Sequence, residues 1–219
     1  MTRRATEPTA ATCDAVFFDF DGVLAESADI KTRAFIQMYK EHGAAVVDAV
    51  VAHHTVHAGV SRRKKIRYYH KMFLGQRLSE DQLEALARRF SALVEDAVVD
   101  AAWVAGARDW LDANRHRLPL FVISGTPEQE LQRIVRRRGM EGYFVAVHGS
   151  PPSKVPIIRD LLDEHAFEPS RVLFVGDSLT DYKAACATEL RFIGRVPPGG
   201  QNPFPPDTPA IADLTELMP

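Results

Sequence analysis

Apolar residues along this chain follow two different rhythms. Five short stretches, at residues 15–18, 119–123, 143–147, 171–175 and 191–193, are almost wholly apolar. That is the pattern of strands buried on both faces. Between the first and second of them, residues 27–101 carry apolar positions at helical spacing and no strand-like run. Ala34, Ile36, Met38 and Tyr39 mark a first helix, which Gly43 ends, and residues 46–56 form a second, broken before Gly59. A third covers residues 61–73 and stops at Gly75; Ser79, with Glu80 and Asp81 behind it, opens a fourth through Leu83, Leu86, Phe90 and Leu93. Further helices follow the later strands, over residues 107–115, 128–138 and 182–188.

Strands alternating with helices imply right-handed crossovers and a parallel sheet covered on both faces. The expected class is therefore α/β, with a parallel-sheet core (residues 13–26 and 102–219) into which a bundle of four helices (residues 27–101) is inserted through linkers at residues 25–28 and 99–106. Residues 1–12 are polar and proline-containing and read as a disordered tail, and the Pro/Gly-rich stretch 197–209 reads as a surface excursion. With 219 residues and 46% apolar content the chain has ample material for a packed interior.

Charge and cysteine content narrow the range of functions. The 27 Lys and Arg against 29 Asp and Glu give a net charge of −2, which argues against a chain built mainly for nucleic acid. Two cysteines, Cys13 and Cys186, make no disulfide framework; they read as structural thiols and suggest a reducing, cytoplasmic compartment. No apolar run reaches membrane-spanning length, so no membrane association is expected. A monomer is expected, with a dimer as the alternative.

The chemistry concentrates where the strands end. After the first strand come Asp19, Phe20, Asp21 and Gly22. Residues two apart on a strand point to one side, so both carboxylates share a small volume where a cation or a proton must relieve their repulsion. A turn that merely ends a strand is the plainer reading of the same residues. The second strand leads into Ser124, Gly125, Thr126 and Pro127 at the start of a helix. Thr126 is expected to be its N-cap, with Pro127 at the first helical position and Gln129 at the capping-box position. The free N–H groups would then hold an anion. The fourth run ends in Gly176 and Asp177, with Asp181 one helical turn on. All of these sit at the carboxyl ends of parallel strands, where such sheets bind ligands, and their oxygen-only chemistry favours magnesium over zinc. His53 and His57 have the i,i+4 spacing of metal sites but no third ligand, so packing is the expected role.

An apolar strand ending in Asp-x-Asp-Gly-Val resembles the first motif of the haloacid dehalogenase superfamily of phosphatases and phosphomutases, and the resemblance runs from residue 15 to about residue 217. It implies a Rossmann-like core, and it makes the helical insert the hinged cap of the class called C1. Ser124 matches the second motif, which binds the transferring phosphoryl group together with Gly125. Lys154, the cation placed for the third motif, would neutralise charge on the nucleophile and the phosphoryl oxygens. Gly-Asp-x-x-x-Asp at residues 176–181 matches the fourth, with Asp177 on the metal and Asp181 acting through water or by orienting Lys154. Asp19 would be the nucleophile, and Asp21 the acid and base, its backbone carbonyl also reaching the metal. Gly59-Val60-Ser61-Arg62 is similar to the substrate-facing cap loop of β-phosphoglucomutase, which implies that Arg62 grips the remote end of the substrate. Arg63, Lys64 and Arg67 read as a solvated helix face.

The resemblance thus implies a magnesium-dependent phosphatase that hydrolyses a small phosphorylated metabolite, a sugar phosphate or a phosphoglycolate-like acid, through an aspartyl phosphate. A sugar phosphomutase of the β-phosphoglucomutase type is the alternative; against it, that enzyme has Glu-Asp where this chain has Gly176-Asp177. A dehalogenase would not need Asp21. A non-catalytic binding module is disfavoured because no motif position is lost.

Overall fold

The computed structural model describes residues 13–57 and 59–218; the tail expected over residues 1–12 lies outside the described residues. Six parallel strands form one sheet: β1 (Ala15–Phe18), β2 (Leu120–Pro127), β3 (Ala146–Ser150), β4 (Val172–Gly176), β5 (Arg191–Arg195) and β6 (Ala210–Ile211). They run in the order β3-β2-β1-β4-β5-β6. The chain therefore builds outward from β1 through β2 and β3, then returns to the other side of β1 and builds outward again. That reversal opens a crevice at the carboxyl end of β1.

The four residues of β1 are all fully buried because neither face of the strand meets water. Val16 and Phe18 pack on one face with Trp110, Leu111, Leu131 and Ile134 of helices α5 (Ala107–Asn114) and α6 (Glu128–Arg137). Ala15 and Phe17 pack on the other with Ile157, Ile158 and Leu161 of α7 (Lys154–His165) and Ala184 of α8 (Leu179–Ala187). Pairing of Phe18 with Val122 and with Val175 brings the ends of three strands level, so the residue after β1 lies between the ends of β2 and β4.

The insert holds four helices, α1 (Ala28–Tyr39), α2 (Ala44–Val56), α3 (Arg62–Phe73) and α4 (Glu80–Val99). Ser79 caps α4 in a reciprocal capping box with Gln82. Aromatic rings fill the bundle: Phe35 lies 4.4 Å from Phe90 and 5.5 Å from Tyr69 between ring centroids. The two linkers lie side by side. Glu26 N–H donates to Ala102 O at 2.9 Å, and Val104 N–H to Leu24 O at 3.1 Å. Arg195, at the end of β5, donates to Gly22 O and to the Glu26 carboxylate, tying the first linker to the sheet. Arg138 donates to the carbonyls of Val98, Val99 and Ala101, which anchors the end of α4 to the core. No helix of the described residues is long and apolar enough to cross a membrane.

Three local expectations change. The run at residues 143–147 is still turning at Glu141–Tyr143 after Gly139 (φ +66°), so β3 begins only at Ala146. Thr126 is not a helix cap: β2 stays extended to Pro127, which pairs with Ser150, and α6 starts at Glu128 with no side-chain cap. The stretch 197–209 is more than an excursion. Phe204 is buried edge-on against Phe192 at 5.2 Å and packs directly on Gly194, after which the chain adds β6 to the sheet. The loop is thereby fixed in place, and Gln201, Asn202 and Pro203 reach the rim of the central cavity.

Candidate active site

Asp19 stands at the carboxyl end of β1 with its N–H bonded to Val175 O at 2.9 Å. The Phe20 N–H donates to Asp19 Oδ1 at 2.7 Å, and the Lys154 ammonium lies 3.1 Å from the same oxygen. The chain then turns sharply through Gly22 at φ +76°, and any Cβ there would strike the Asp177 carboxylate. Glycine at this position is what lets β1 and β4 bring Asp19 and Asp177 to one point.

Behind them, Asp181 occupies the first turn of α8. One of its oxygens is paired with Lys154; the other accepts from Ser178 N–H at 3.0 Å and Ser178 Oγ–H at 2.7 Å. Asp19, Asp177 and Asp181 each offer an oxygen within 4.8 Å of the others. Burial, and then the neighbouring carboxylates, push the Asp19 carboxyl up to about 7 despite Lys154, and push Asp177 well above the usual range. Burial opposes the charge on Lys154, but Asp181 and Asp19 outweigh it and raise its pKa. One ammonium thus faces three carboxylates, two buried and Asp177 half-buried, and Asp19 and Asp177 are the pair left short of positive charge. A hard, oxygen-seeking cation such as magnesium fits that donor set. Among the described residues no other His, Cys, Asp and Glu group of this kind forms.

Asp21 has a different environment. Its Oδ1 accepts from Ser27 Oγ–H at 2.6 Å, and its Oδ2 is bonded to the Lys31 ammonium and accepts from Thr126 Oγ1–H at 3.1 Å. Burial would raise its pKa, but the Lys31 charge and these three hydrogen bonds hold it below the ordinary value. Ser124, inside β2 where its pairing with β3 shifts register after Ile123, is buried and accepts the Thr126 N–H at 3.2 Å. Asp19, Asp21, Asp177, Ser124 and Gly125 all line one cavity of about 430 Å³, which the four inserted helices roof over.

The model of the haloacid dehalogenase-like hydrolases matches residues 13–187. The chain belongs to that family. It is 25% identical over 176 residues to the phosphoglycolate phosphatase of Synechococcus elongatus, which covers 78% of each chain. It is 27% identical over 136 residues to the 6-phosphogluconate phosphatase of Escherichia coli, over 60% of this chain and 56% of that one. In fold it matches a haloacid dehalogenase-like hydrolase from Bacteroides fragilis at a TM-score of 0.73 and 19% identity, over 94% of this chain and all of that one (100%).

The inserted helices touch the core closely. A Cβ on Gly125 would lie 2.7 Å from Gly59 O, and one on Gly59 would lie 2.7 Å from Ser178 Oγ, so the cap loop needs bare backbone on both sides. Arg62 follows that loop, but its guanidinium is given to the Glu130 carboxylate of α6 (2.8 Å through Nη1) and stacks over Phe90 at 4.7 Å. At 5% exposure it braces these helices against the core, and it also lines the cavity. Arg63 and Arg67 pair with Glu80 on the outer surface, in keeping with a solvated face. His53 stacks on Tyr68 with centroids 4.2 Å apart, and His57 lies 4.2 Å from His53, an interhelical packing arrangement.

Of the residues that hold Asp21, sequence reasoning missed Lys31 and Ser27 and gave Thr126 a different role; it also missed the buried pair His54 and Lys65, which face the cavity from α2 and α3. The signal for Lys65 was available. It falls with Arg62, Ile66 and Tyr69 on the i, i+3, i+4, i+7 face of α3 that the bundle buries.

His54 generates a prediction for stability. Burial, then the charge of Lys65, lowers its pKa to about 3, against an ordinary value of 6.5. Between those values the unfolded chain binds a proton that the folded chain refuses. The stability due to neutral His54 is complete about one unit above pH 6.5 and is lost as pH falls toward 3, by on the order of 5 kcal/mol in all. Urea unfolding at stepped pH should show a shallower fall between pH 6 and 4 for His54→Gln than for the natural protein, whereas identical slopes would mean that His54 titrates normally.

Proposed function

We propose that this hydrolase is a magnesium-dependent phosphatase that cleaves a small phosphorylated metabolite through an aspartyl phosphate on Asp19. The observation that carries the reading is the placing of Asp19 and Asp177 on the cavity wall with Asp21 beside them and Lys154 behind Asp19. Both contacts of Asp19 fall on Oδ1, which leaves Oδ2 as the oxygen for attack on phosphorus. Lys154, held by Asp181, neutralises the growing negative charge, and Ser124 with the Gly125 backbone receives phosphoryl oxygens. Asp19 and Asp177, with the backbone carbonyl of Asp21, would hold magnesium, while Asp181 stands in the outer shell with both oxygens already engaged. When bound, the ion supplies the positive charge that lets two carboxylates and a phosphate share one site.

Asp21 serves as acid and then as base. Held ionised by Lys31, it is ready to take a proton from water in the second half of the reaction. For the first half, Lys31 has to turn from Asp21 toward the arriving phosphate so that Asp21 can carry a proton to the leaving oxygen. Residues 27–101 act as the cap, moving on the paired linkers and excluding water when closed. The two curated relatives named above are both phosphatases, one named for phosphoglycolate and one for 6-phosphogluconate, which supports hydrolysis over phosphoryl transfer between sugars.

Steady release of inorganic phosphate from 2-phosphoglycolate or 6-phosphogluconate is expected with magnesium and not with EDTA, without a bisphosphate activator. Asp19→Asn should reduce it by at least about 10⁴-fold, and Asp21→Asn by about 10² to 10⁴-fold. Substantial turnover by the Asp19 variant would rule out the covalent route. In calorimetric titration, Asp177→Ala should weaken magnesium binding more than Asp181→Ala, because only the first removes a direct ligand; equal losses would place both on the ion.

A further inference from the structure

The stretch 197–209 is built into the edge of the sheet that carries the site. Gly194 of β5 pairs with Gly176 of β4, so the chain leaves β5 at Arg195 level with the turn that holds Asp177. Beyond Val196, whose N–H donates to Ile211 O at 2.9 Å, the Gly200 N–H closes a turn onto Pro197 O at 2.8 Å, with Gly199 at φ +75°. Farther along, Phe204 is buried on Gly194 and Phe192. Between these two anchors Gln201, Asn202 and Pro203 are exposed at the rim of the cavity and line it together with Asp19 and Asp177. Asn202 is fixed further, because its Oδ1 accepts from the Phe204 N–H at 2.9 Å. Only the oxygen of a carboxamide can accept that bond, so the orientation of the group is settled and its –NH2 is the end that offers donors to a ligand.

The cations that line the cavity are engaged by the protein itself: Lys31 with Asp21, Arg62 with Glu130 and Lys65 with His54. The rim is neutral at Gln201 and Asn202 and acidic at Asp29, which does not suit a second anionic group on the ligand. A carboxamide both donates and accepts, and its natural complement is a hydroxyl. The cavity of about 430 Å³ also suits a ligand larger than a two-carbon ester. We infer that Asn202, with Gln201 beside it, is a specificity residue supplied by the core, and that it hydrogen-bonds a hydroxyl group on the carbon chain of the substrate. The substrate class is then the phosphorylated sugars and polyols, in preference to two-carbon phosphorylated acids. This rests on the phosphatase reading above. Because the loop is tied to β5 and not to the inserted helices, the contact is formed by a part of the site that is already ordered, so little is lost in ordering it when the substrate binds.

Sugar esters that differ by one hydroxyl test the assignment: ribose 5-phosphate against 2-deoxyribose 5-phosphate, glucose 6-phosphate against 2-deoxyglucose 6-phosphate, and glucose 6-phosphate against 1,5-anhydroglucitol 6-phosphate. In the pair whose hydroxyl meets the rim, the natural protein should prefer the fuller ester by about 3- to 10-fold in kcat/KM, the effect of one hydrogen bond, carried mainly by KM. Asn202→Ser keeps an oxygen that can accept from the Phe204 N–H and withdraws the –NH2, and in it that ratio should fall toward unity. Asn202→Ala removes both functions and separates them. A residue that only holds the loop would lower both members of a pair together in the Ala variant, recover in the Ser variant, and leave the ratio alone in each. No preference within any pair, a ratio that survives in Asn202→Ser, or a kcat/KM for 2-phosphoglycolate above that of every sugar ester overturns the inference while leaving the phosphatase reading standing. Release of phosphate from none of these esters, 2-phosphoglycolate and 6-phosphogluconate included, removes both.

Discussion

The structure depends on the gathering of three carboxylates, two buried and one half-buried, around a single ammonium. Asp19, Asp177 and Asp181 come from the ends of β1 and β4 and the first turn of α8, and Lys154 comes from the first turn of α7. Their repulsion opposes folding, so the surrounding elements must hold them in place by other means. The four residues of β1 do so with full burial on both faces and pairing on both edges. Ser178 does so by capping α8 and holding Asp181 through the same reciprocal bonds. A site that is electrostatically unfavourable when empty of cations and phosphate is also one in which both are strongly attracted, which links the cost in folding to the chemistry proposed for it.

The cap answers a second constraint. Phosphoryl chemistry at a buried carboxylate requires water to be kept out until it is wanted, and the cavity roof is formed by helices joined to the core through only two linkers. Those linkers bond to each other, Arg138 and Arg195 tie their ends to the core, and Arg62 with Glu130 braces α3 against α6. At the closest point Gly59 and Gly125 face each other as bare backbone. Beside these polar and backbone contacts, one continuous apolar cluster joins the bundle to the core, with Phe35, Phe90 and Val98 in the same packing as Phe18, Leu131 and Ile134.

How much of this was legible in the sequence depended on how local each signal was. Strands buried on both faces and helices with a single apolar stripe announce themselves through composition, so β1, the four cap helices and the α/β class follow from pattern alone. The Asp19 and Asp21 pair and the Gly176-Asp177 turn were likewise visible because their geometry is set within a few residues. What escaped notice depends on long-range contact. Thr126 has every local mark of a helix cap, yet its hydroxyl is drawn to Asp21, 105 positions away. Arg62 opens α3 behind a loop that suggests substrate binding, and only the fold reveals Glu130 opposite it. The two-residue β6 carries no periodicity of its own and forms because Phe204, packed on Gly194, fixes the preceding loop.

The claim on which the account rests is that Asp19 itself carries the phosphoryl group. Rapid acid quench of the protein during turnover of a hydrolysed ester, followed by mass spectrometry of its peptides, tests this directly, because an acyl phosphate survives acid long enough to be mapped. The account predicts a single phosphoryl adduct on the peptide containing Asp19, formed and lost at rates that keep pace with the release of phosphate. Turnover with no adduct, or with the adduct on another residue, would contradict it.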